Sequence, residues 1–142
     1  MSKIKFPTPT AAEEAFYRAF ERRDLEAMMD IWLDADYVEC IHPMGHRLVG
    51  HNAIRNSWQN IFQGATTIQF EMADKRTIAH SSLAIHLVNE TMTLDDGNKQ
   101  VHVLATNIYE RTPEGWYMIL HHASPGPTVQ PKKTARYKPT VH

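Results

Sequence analysis

The chain has 142 residues, which is long enough for one domain that buries its own core. Hydrophobic residues make up 42% and charged residues 22%, a composition typical of a globular chain and not of a disordered one. The formal net charge of -1 provides no basic field that would recruit nucleic acid.

Cellular location is limited by three further features. The first six residues lack the apolar run of a secretory signal, and no stretch approaches the ~20 apolar residues that span a bilayer. The single cysteine, Cys40, permits no internal disulfide and is typical of a reducing compartment. We therefore expect a cytoplasmic protein with no membrane or nucleic-acid partner.

Two amphipathic helices are predicted near the N-terminus. Residues 10–13, Thr-Ala-Ala-Glu, have the pattern of a capping box, and Asp24 is a good N-cap for the second helix. Apolar residues then recur at helical spacing in both segments. These residues are Ala12, Phe16, Ala19 and Phe20 in the first helix, and Leu25, Met28, Met29 and Trp32 in the second.

A short strand and a sharp turn follow. From residue 37 the apolar period changes to two, which predicts a strand with one shared face: Val38, Cys40 and His42. Pro43 cannot donate to a sheet ladder and Gly45 permits a tight turn, so the strand should stop there. Residues 47–49 could return as a short strand, and residues 52–62 predict a third helix with Trp58 on its inner side.

Four longer strands are predicted over residues 66–79, 82–94, 100–111 and 116–124, with turns at residues 95–98 and 113–115. In the second of these, one face holds Leu83, Ile85, Leu87 and Asn89, and the other holds Ala84, His86, Val88 and Glu90. In the last, one face holds Tyr117, Ile119, His121 and Ala123, and the other holds Trp116, Met118, Leu120, His122 and Ser124.

The long strands carry large apolar groups on both faces, which a sheet with one wet face would not show. We therefore predict a homodimer that forms through the outer sheet face, with His122 on that side. One domain should span residues 1–125. Residues 126–142 are rich in proline, lysine and arginine, and we expect them to form an extended tail.

The order of these motifs resembles the nuclear transport factor 2-like superfamily, and in particular its SnoaL-like branch, over residues 11–125. The motifs are the His42-Pro43-Met44-Gly45 turn, the helix that carries Trp58, the long hairpins, and the terminal run His121-His122-Ala123-Ser124. The resemblance implies an α+β, cystatin-like cone, in which a strongly curved mixed sheet wraps around three helices and a pocket opens at the wide end. The superfamily includes isomerases, lyases, hydrolases and a kinase association domain, so the fold does not decide the function.

Ketosteroid isomerase gives the most detailed comparison. Its aspartate base matches His42, its catalytic tyrosine matches Phe16, and its late-strand aspartate lies near Asn107. Tyr17 is adjacent to Phe16 but should point elsewhere on the helix. These changes argue against steroid isomerase activity. The pocket arginines of the kinase association domain match Asn89, Asn107 and Ala123 by spacing, so a strongly anionic ligand is not expected.

His42 is the best candidate for a general base, because imidazole takes up a proton near neutrality. The alternative is a histidine that is hydrogen-bonded near the turn. Asn107 or His121 would stabilise a developing oxygen charge. The predicted ligand wall is Phe16, Tyr17, Trp32, Cys40, Trp58, Asn89, Asn107 and Ala123, although Cys40 is also explained as a core residue.

Two functions therefore remain open. One is a cofactor-free isomerase or lyase that transfers a proton on a small hydrophobic or carbonyl-containing molecule held in a mostly apolar pocket. The other is a module for ligand binding, dimerisation or assembly without chemistry. We expect neither a cofactor nor a metal, since the histidines around the turn have no carboxylate or thiolate at ligand spacing.

Overall fold

The computed structural model describes residues 4–64 and 67–127, and these contain three α-helices and six β-strands. In chain order they are α1 (Pro9–Arg22), α2 (Leu25–Ile31), β1 (Glu39–Ile41), β2 (Leu48–Val49), α3 (His51–Gly64), β3 (Ile68–Ala79), β4 (Leu83–Leu94), β5 (Lys99–Thr112) and β6 (Gly115–Pro125). A short 3-10 turn at Asp95–Gly97 joins β4 to β5, where the sequence predicts a hairpin. None of the described helices is long and apolar enough to cross a membrane.

Helix α1 begins earlier than the capping-box pattern predicts. Thr8 is its N-cap, because the Thr8 hydroxyl accepts a hydrogen bond from the Ala11 backbone N–H at 3.0 Å. Pro9 follows in the first turn, where its missing N–H is not needed. The capping box at residues 10–13 is therefore wrong, and Glu13 is buried instead. The prediction for α2 is confirmed, since Asp24 accepts from the Ala27 N–H at 3.0 Å.

The six strands form one open, mixed sheet in the order β2-β1-β6-β5-β4-β3. Strand β1 is parallel to β6, and every other described pair is antiparallel. Helix α1 contacts α2, β3 and β6, and α3 contacts α2. The helices and the inner sheet face share one hydrophobic core that contains Phe16, Trp58 and Met118. The predicted α+β architecture, a curved sheet around three helices, is confirmed.

A bulge in β6 changes which of its side chains face this core. Ile108 lies opposite Leu120, but Tyr109 lies opposite Met118, so Ile119 is an extra residue in the ladder. Because of that extra residue, Met118 and His121 both point inward, and both are buried. The prediction that Met118 lies on the outer face is therefore wrong, whereas the outward orientation of His122 is confirmed.

Most of the predicted tail, residues 128–142, lies outside the described residues. The boundary between the domain and the tail therefore stays a prediction.

Candidate functional site

His42 follows β1 directly, and its ring turns toward α3. The ring centroids of His42 and Trp58 are 4.8 Å apart, with the planes nearly perpendicular. Ser57 Oγ lies 3.0 Å from His42 Nε2 and donates its own proton to the Ile54 carbonyl oxygen at 2.9 Å. Since that proton is already used, Nε2 of His42 donates to Ser57, and Nδ1 is the nitrogen that can accept a proton.

Burial controls the charge of this imidazole. It lowers the pKa of His42 to about 4, so the ring is neutral near pH 7. Cys40 Sγ lies 3.6 Å from His42 Nε2, but burial raises the pKa of the thiol far above its usual value. Cys40 is therefore not an activated thiolate, and its interpretation as a core cysteine is confirmed.

A hydrogen-bond string crosses the interior from β6 to β4. Its members, in order, are His121, Asn107, Tyr17 and Glu90, and all four are buried. His121 Nδ1 lies 2.6 Å from Asn107 Oδ1, Asn107 Nδ2 donates to Tyr17 Oη at 3.1 Å, and Tyr17 Oη donates to Glu90 Oε2. The hydrogens all point the same way, toward the carboxylate, so His121 Nδ1 must be the protonated nitrogen.

The sequence leads to two expectations for Tyr17: it should point elsewhere on the helix than Phe16, and it belongs to the predicted ligand wall. In the structure its hydroxyl lies in the interior and bonds to Glu90 and Asn107. On α1 both Phe16 and Tyr17 are buried, because the helix packs against the sheet on one side and against α2 on another. Burial and the nearby Glu90 charge raise the pKa of Tyr17 well above 10, so its hydroxyl keeps its proton.

Four rings meet between the string and the turn, and we call them the ring cluster: Phe16, His42, Trp58 and His121. Phe16 lies 4.9 Å from His121 and 5.7 Å from Trp58 between ring centroids, and the two histidine rings are 6.4 Å apart. Burial, with smaller contributions from His42 and His122, lowers the pKa of His121 to about 3. The site is therefore apolar and uncharged, with two neutral imidazoles.

Trp58 carries a buried indole N–H, and Nε1 has no hydrogen-bond partner within residues 4–64 and 67–127. A buried donor without an acceptor costs about 1–3 kcal/mol. An oxygen atom brought into the ring cluster would remove that cost. The indole N–H is therefore a buried donor in the cluster whose hydrogen-bonding capacity is unused.

The remaining predicted wall residues do not all join the site. Ala123 is buried beside Val103 and Ala105, and Trp32 is buried where it bridges to Met118. Asn89 is exposed and bonds to Asp74 Oδ2 at 3.2 Å. Its predicted place in the hollow is wrong, because the neighbours that share a face with Asn107 are those at even positions of β4, including His86 directly opposite.

A second polar group was missed by the sequence analysis, and we call it the polar cluster: Glu13, Lys75, His86, Glu90 and Tyr109. Glu13 lies 2.6 Å from Lys75 Nζ and 3.0 Å from His86 Nδ1. Burial raises the pKa of Glu13, but the hydrogen bonds and charges of His86 and Lys75 outweigh it and leave the pKa below 4.5. The sequence contains one indication that this cluster is buried, because His86 and Glu90 share a strand face with Ala84 and Val88, two small apolar residues.

The buried titratable groups predict how stability depends on pH. In the unfolded chain, His42 and His121 bind a proton near pH 6.5, whereas in the folded protein their pKa values are about 4 and 3. The free energy of unfolding should therefore fall by about 1.4 kcal/mol per pH unit for each histidine as the pH drops below 6.5. Glu90 opposes this, because its folded carboxyl binds a proton near pH 7 and its unfolded one near 4.5. Urea unfolding at about pH 7 and about pH 5.5 should show a loss that becomes larger in Glu90→Gln. Equal stability of Glu90→Gln at both values would contradict the neutral histidines, because the opposing carboxyl is absent in that variant.

This arrangement defines a class of protein. A curved mixed sheet around three N-terminal helices, with the interior between the first strand, the third helix and the last hairpin, is the nuclear transport factor 2-like architecture. A chain from Streptomyces avermitilis, of the NTF2-like family and provisionally named a dehydratase, has 31% sequence identity and a TM-score of 0.76; the match covers 84% of this chain and 94% of that one.

The family model of the SnoaL-like domain matches residues 10–128. The protein belongs to the SnoaL-like domain family. A solved chain from Thiobacillus denitrificans, provisionally named a calcium/calmodulin-dependent protein kinase type II association domain, is 40% identical with a TM-score of 0.82; the match covers 88% of this chain and 100% of that one. The Arabidopsis thaliana F-box protein SKIP8 is 32% identical over 109 residues, 77% of this chain and 46% of that protein, so this chain spans about half the length of that curated relative.

Proposed function

We propose that this domain binds a small, uncharged carbonyl compound against His42 and moves a proton on it without a cofactor, as an isomerase or a lyase does. The observation that carries the proposal is the contact of His42 Nε2 with Ser57 Oγ, from which we infer that Nδ1 is left to accept, while burial lowers the pKa of the ring and keeps it neutral. The residues that follow it, 43–47, are exposed. A ligand can therefore approach His42 from the turn and meet the apolar ring cluster behind it.

The reaction follows from the atoms present. His42 Nδ1 would take a proton from the carbon next to the carbonyl, and the electron pair would move onto the carbonyl oxygen. His121 already donates its N–H to Asn107, so the free indole N–H of Trp58 is the better donor to that oxygen. The imidazolium would then return the proton to another carbon, or to a leaving hydroxyl that departs as water.

The lyase version has support from one relative. The Streptomyces avermitilis chain, 31% identical, carries a provisional dehydratase name. In a dehydration, one base can remove the proton from carbon and deliver the same proton to the leaving oxygen. A single neutral histidine beside a dry surface is sufficient for that sequence of steps.

The test is hydrogen exchange at carbon. The protein is incubated in D2O with a panel of ketones and β-hydroxy carbonyl compounds, and loss of the α-proton signal is followed by NMR. The proposal predicts exchange of at least one compound well above the rate with an equal concentration of free imidazole. Exchange no faster than with imidazole across the panel would reject it.

A second candidate, an assembly module, is favoured by the outer sheet face. An aliphatic row crosses four strands in register, and it consists of Ile78, Ile85, Ile108 and Leu120. Leu83 and Leu104 on the same face are exposed by 41% and 43%. Contiguous apolar surface of this kind marks an interface. The Thiobacillus denitrificans chain with the association-domain name is 40% identical.

We therefore retain the homodimer as a proposal, with a second copy of this chain on the outer face. Leu104→Glu should convert the dimer to a monomer, because a buried unpaired charge costs several kcal/mol at an interface. The measurement is molar mass by light scattering after gel filtration, and Val49→Glu, on the exposed edge strand β2, is the matched control. A wild-type monomer at micromolar concentration would contradict the homodimer. The cytoplasmic location likewise stays a prediction.

A further inference from the structure

The hydrogen-bond string ends at Glu90. Along the chain Glu90 is 17 residues from Asn107 and 31 from His121, and among the described residues it makes no contact with the ring cluster. Each link in the string has one donor and one acceptor. Tyr17 donates to Glu90 and so can only accept from Asn107. Asn107 therefore presents its amide nitrogen to Tyr17 and its amide oxygen to His121. The direction of every hydrogen is set by the acceptor at the Glu90 end.

We propose that Glu90 is a positioning residue: through Tyr17 and Asn107, its carboxylate determines which ring nitrogen of His121 carries the proton. With Glu90 as acceptor, His121 is protonated at Nδ1, and its unprotonated Nε2 is the nitrogen that can accept. When Glu90 is protonated, its O–H donates to Tyr17 Oη, and when Glu90 is replaced by a residue without an acceptor, Tyr17 has no acceptor at that end; in both cases the string reverses. Tyr17 donates to the amide oxygen of Asn107, the amide turns over, and its N–H donates to His121 Nδ1.

The reversal changes which ring nitrogen of His121 donates and which can accept, without moving the ring. The proton passes from Nδ1 to Nε2, so the nitrogen that could accept a hydrogen bond becomes a donor. His121 packs against Phe16 and lies 6.4 Å from His42 between ring centroids, so the change occurs inside the ring cluster. The effect of this tautomer change on turnover rests on the proposed function, whereas the tautomer change itself does not.

Glu90 is placed where its own charge can change near neutral pH. The groups that face it are Glu13 and Tyr17 from α1, His86 from its own strand, Tyr109 from β5, and Lys75 from β3, which pairs with Glu13. Burial raises the pKa of Glu90 to about 7; the Tyr17 hydrogen bond lowers it, and the Glu13 charge raises it. The string should therefore reverse over a range in which His121 itself does not titrate.

The experiment reads the His121 tautomer directly. Imidazole nitrogen shifts from 15N-labelled protein distinguish a protonated from an unprotonated ring nitrogen, and the His121 signals are assigned through its backbone. In the wild type we expect Nδ1–H to dominate above about pH 8 and Nε2–H to gain population below about pH 6, with a midpoint near that of Glu90. Glu13→Gln should keep this change and lower its midpoint, because it removes a neighbouring negative charge.

Two variants of Glu90 separate positioning from packing. Glu90→Leu removes the acceptor, so Nε2–H should dominate at every pH. Glu90→Gln keeps the size and can still accept from Tyr17 but cannot titrate, so the tautomer ratio should not change between about pH 6 and about pH 8. A constant ratio in the wild type over this range, or a pH dependence that survives in Glu90→Gln, would overturn the proposal. The wild-type titration and Glu90→Gln decide the matter if Glu90→Leu does not fold.

This readout is independent of the proposed chemistry. Failure of the carbonyl exchange assay with an intact tautomer switch would reject the enzyme and keep the positioning role. Carbonyl exchange without a tautomer switch would keep the enzyme and reject the positioning role of Glu90.

Discussion

Replacing His42 by alanine should slow carbon-proton exchange by about 10²–10⁴-fold, the usual contribution of a general base. The fold should survive, because His42 is only partly buried at a strand end, and its loss removes one hydrogen bond to Ser57. The measurement is the exchange rate of the compound that gives the highest wild-type rate in D2O, with circular dichroism to check folding.

The matched control is His46→Ala, since His46 is an exposed histidine in the same turn. This variant should exchange at the wild-type rate. If His42→Ala also kept that rate, proton transfer would occur elsewhere and the base assignment would be wrong. A variant that binds the same compound but does not exchange its proton would separate binding from chemistry at this residue.

Replacing Phe16 by alanine should destabilise the protein by about 3–5 kcal/mol, the typical cost of deleting a buried aromatic ring. Phe16 is fully buried and contacts Tyr17, Phe20, Trp58 and His121 through its ring. The loss of those contacts leaves a cavity that the neighbouring rings cannot fill completely. Urea unfolding measures the effect through the midpoint and slope.

Val49→Ala is the control, because Val49 is 50% exposed on the edge strand β2 and its truncation should change stability by about 0.5 kcal/mol or less. A loss below about 1 kcal/mol in Phe16→Ala would contradict a closely packed ring cluster. It would instead favour the pocket that the sequence predicts behind His42, since side chains around an existing space lose little when one ring is removed.

The His42 and Phe16 substitutions therefore test opposite properties of the ring cluster, namely proton transfer at its edge and close packing in its interior. His42 lies beside the exposed turn of residues 43–47, whereas the interior is filled at Phe16: Phe16 and Trp58 are 0% exposed and His121 is 2% exposed. A substrate would lie at the His42 edge of the ring cluster. The pocket itself stays a prediction, and so does the identity of its ligand.

Local sequence patterns predicted the elements because each pattern has a local cause. Asp24 caps α2 through its own side chain, and period two in residues 83–94 follows from the pleat of a strand. The position of His42 also followed from local chemistry, since Pro43 cannot continue the ladder and Gly45 permits the turn. The cone itself followed from the order of the motifs and their resemblance to a known superfamily.

Apart from the capping box of α1, the wrong predictions concern which way side chains point. A bulge at Ile119 reverses the alternation of β6, and nothing local in the sequence marks it, so Met118 was placed outside. The sequence places Asn89 inside because it matches a pocket arginine of the kinase association domain by spacing and interrupts the apolar face formed by the aliphatic residues at odd positions of β4. Those residues form the outer apolar row, and the smaller Ala84 and Val88 face the helices.

The sequence by itself determined the class of fold, the order of helices and strands, and the histidine at the end of the first strand, because caps, turns and periodicity act over a few residues. Only the tertiary structure decided that Glu13 and Glu90 lie in the interior and that Tyr17 connects to His121. From sequence alone, a glutamate in a strand is interpreted as a solvent-facing residue, because its partners in the interior are not known. Those partners come from α1, β3 and β5, so burial and charge at this site depend on contacts between residues that are far apart in the chain.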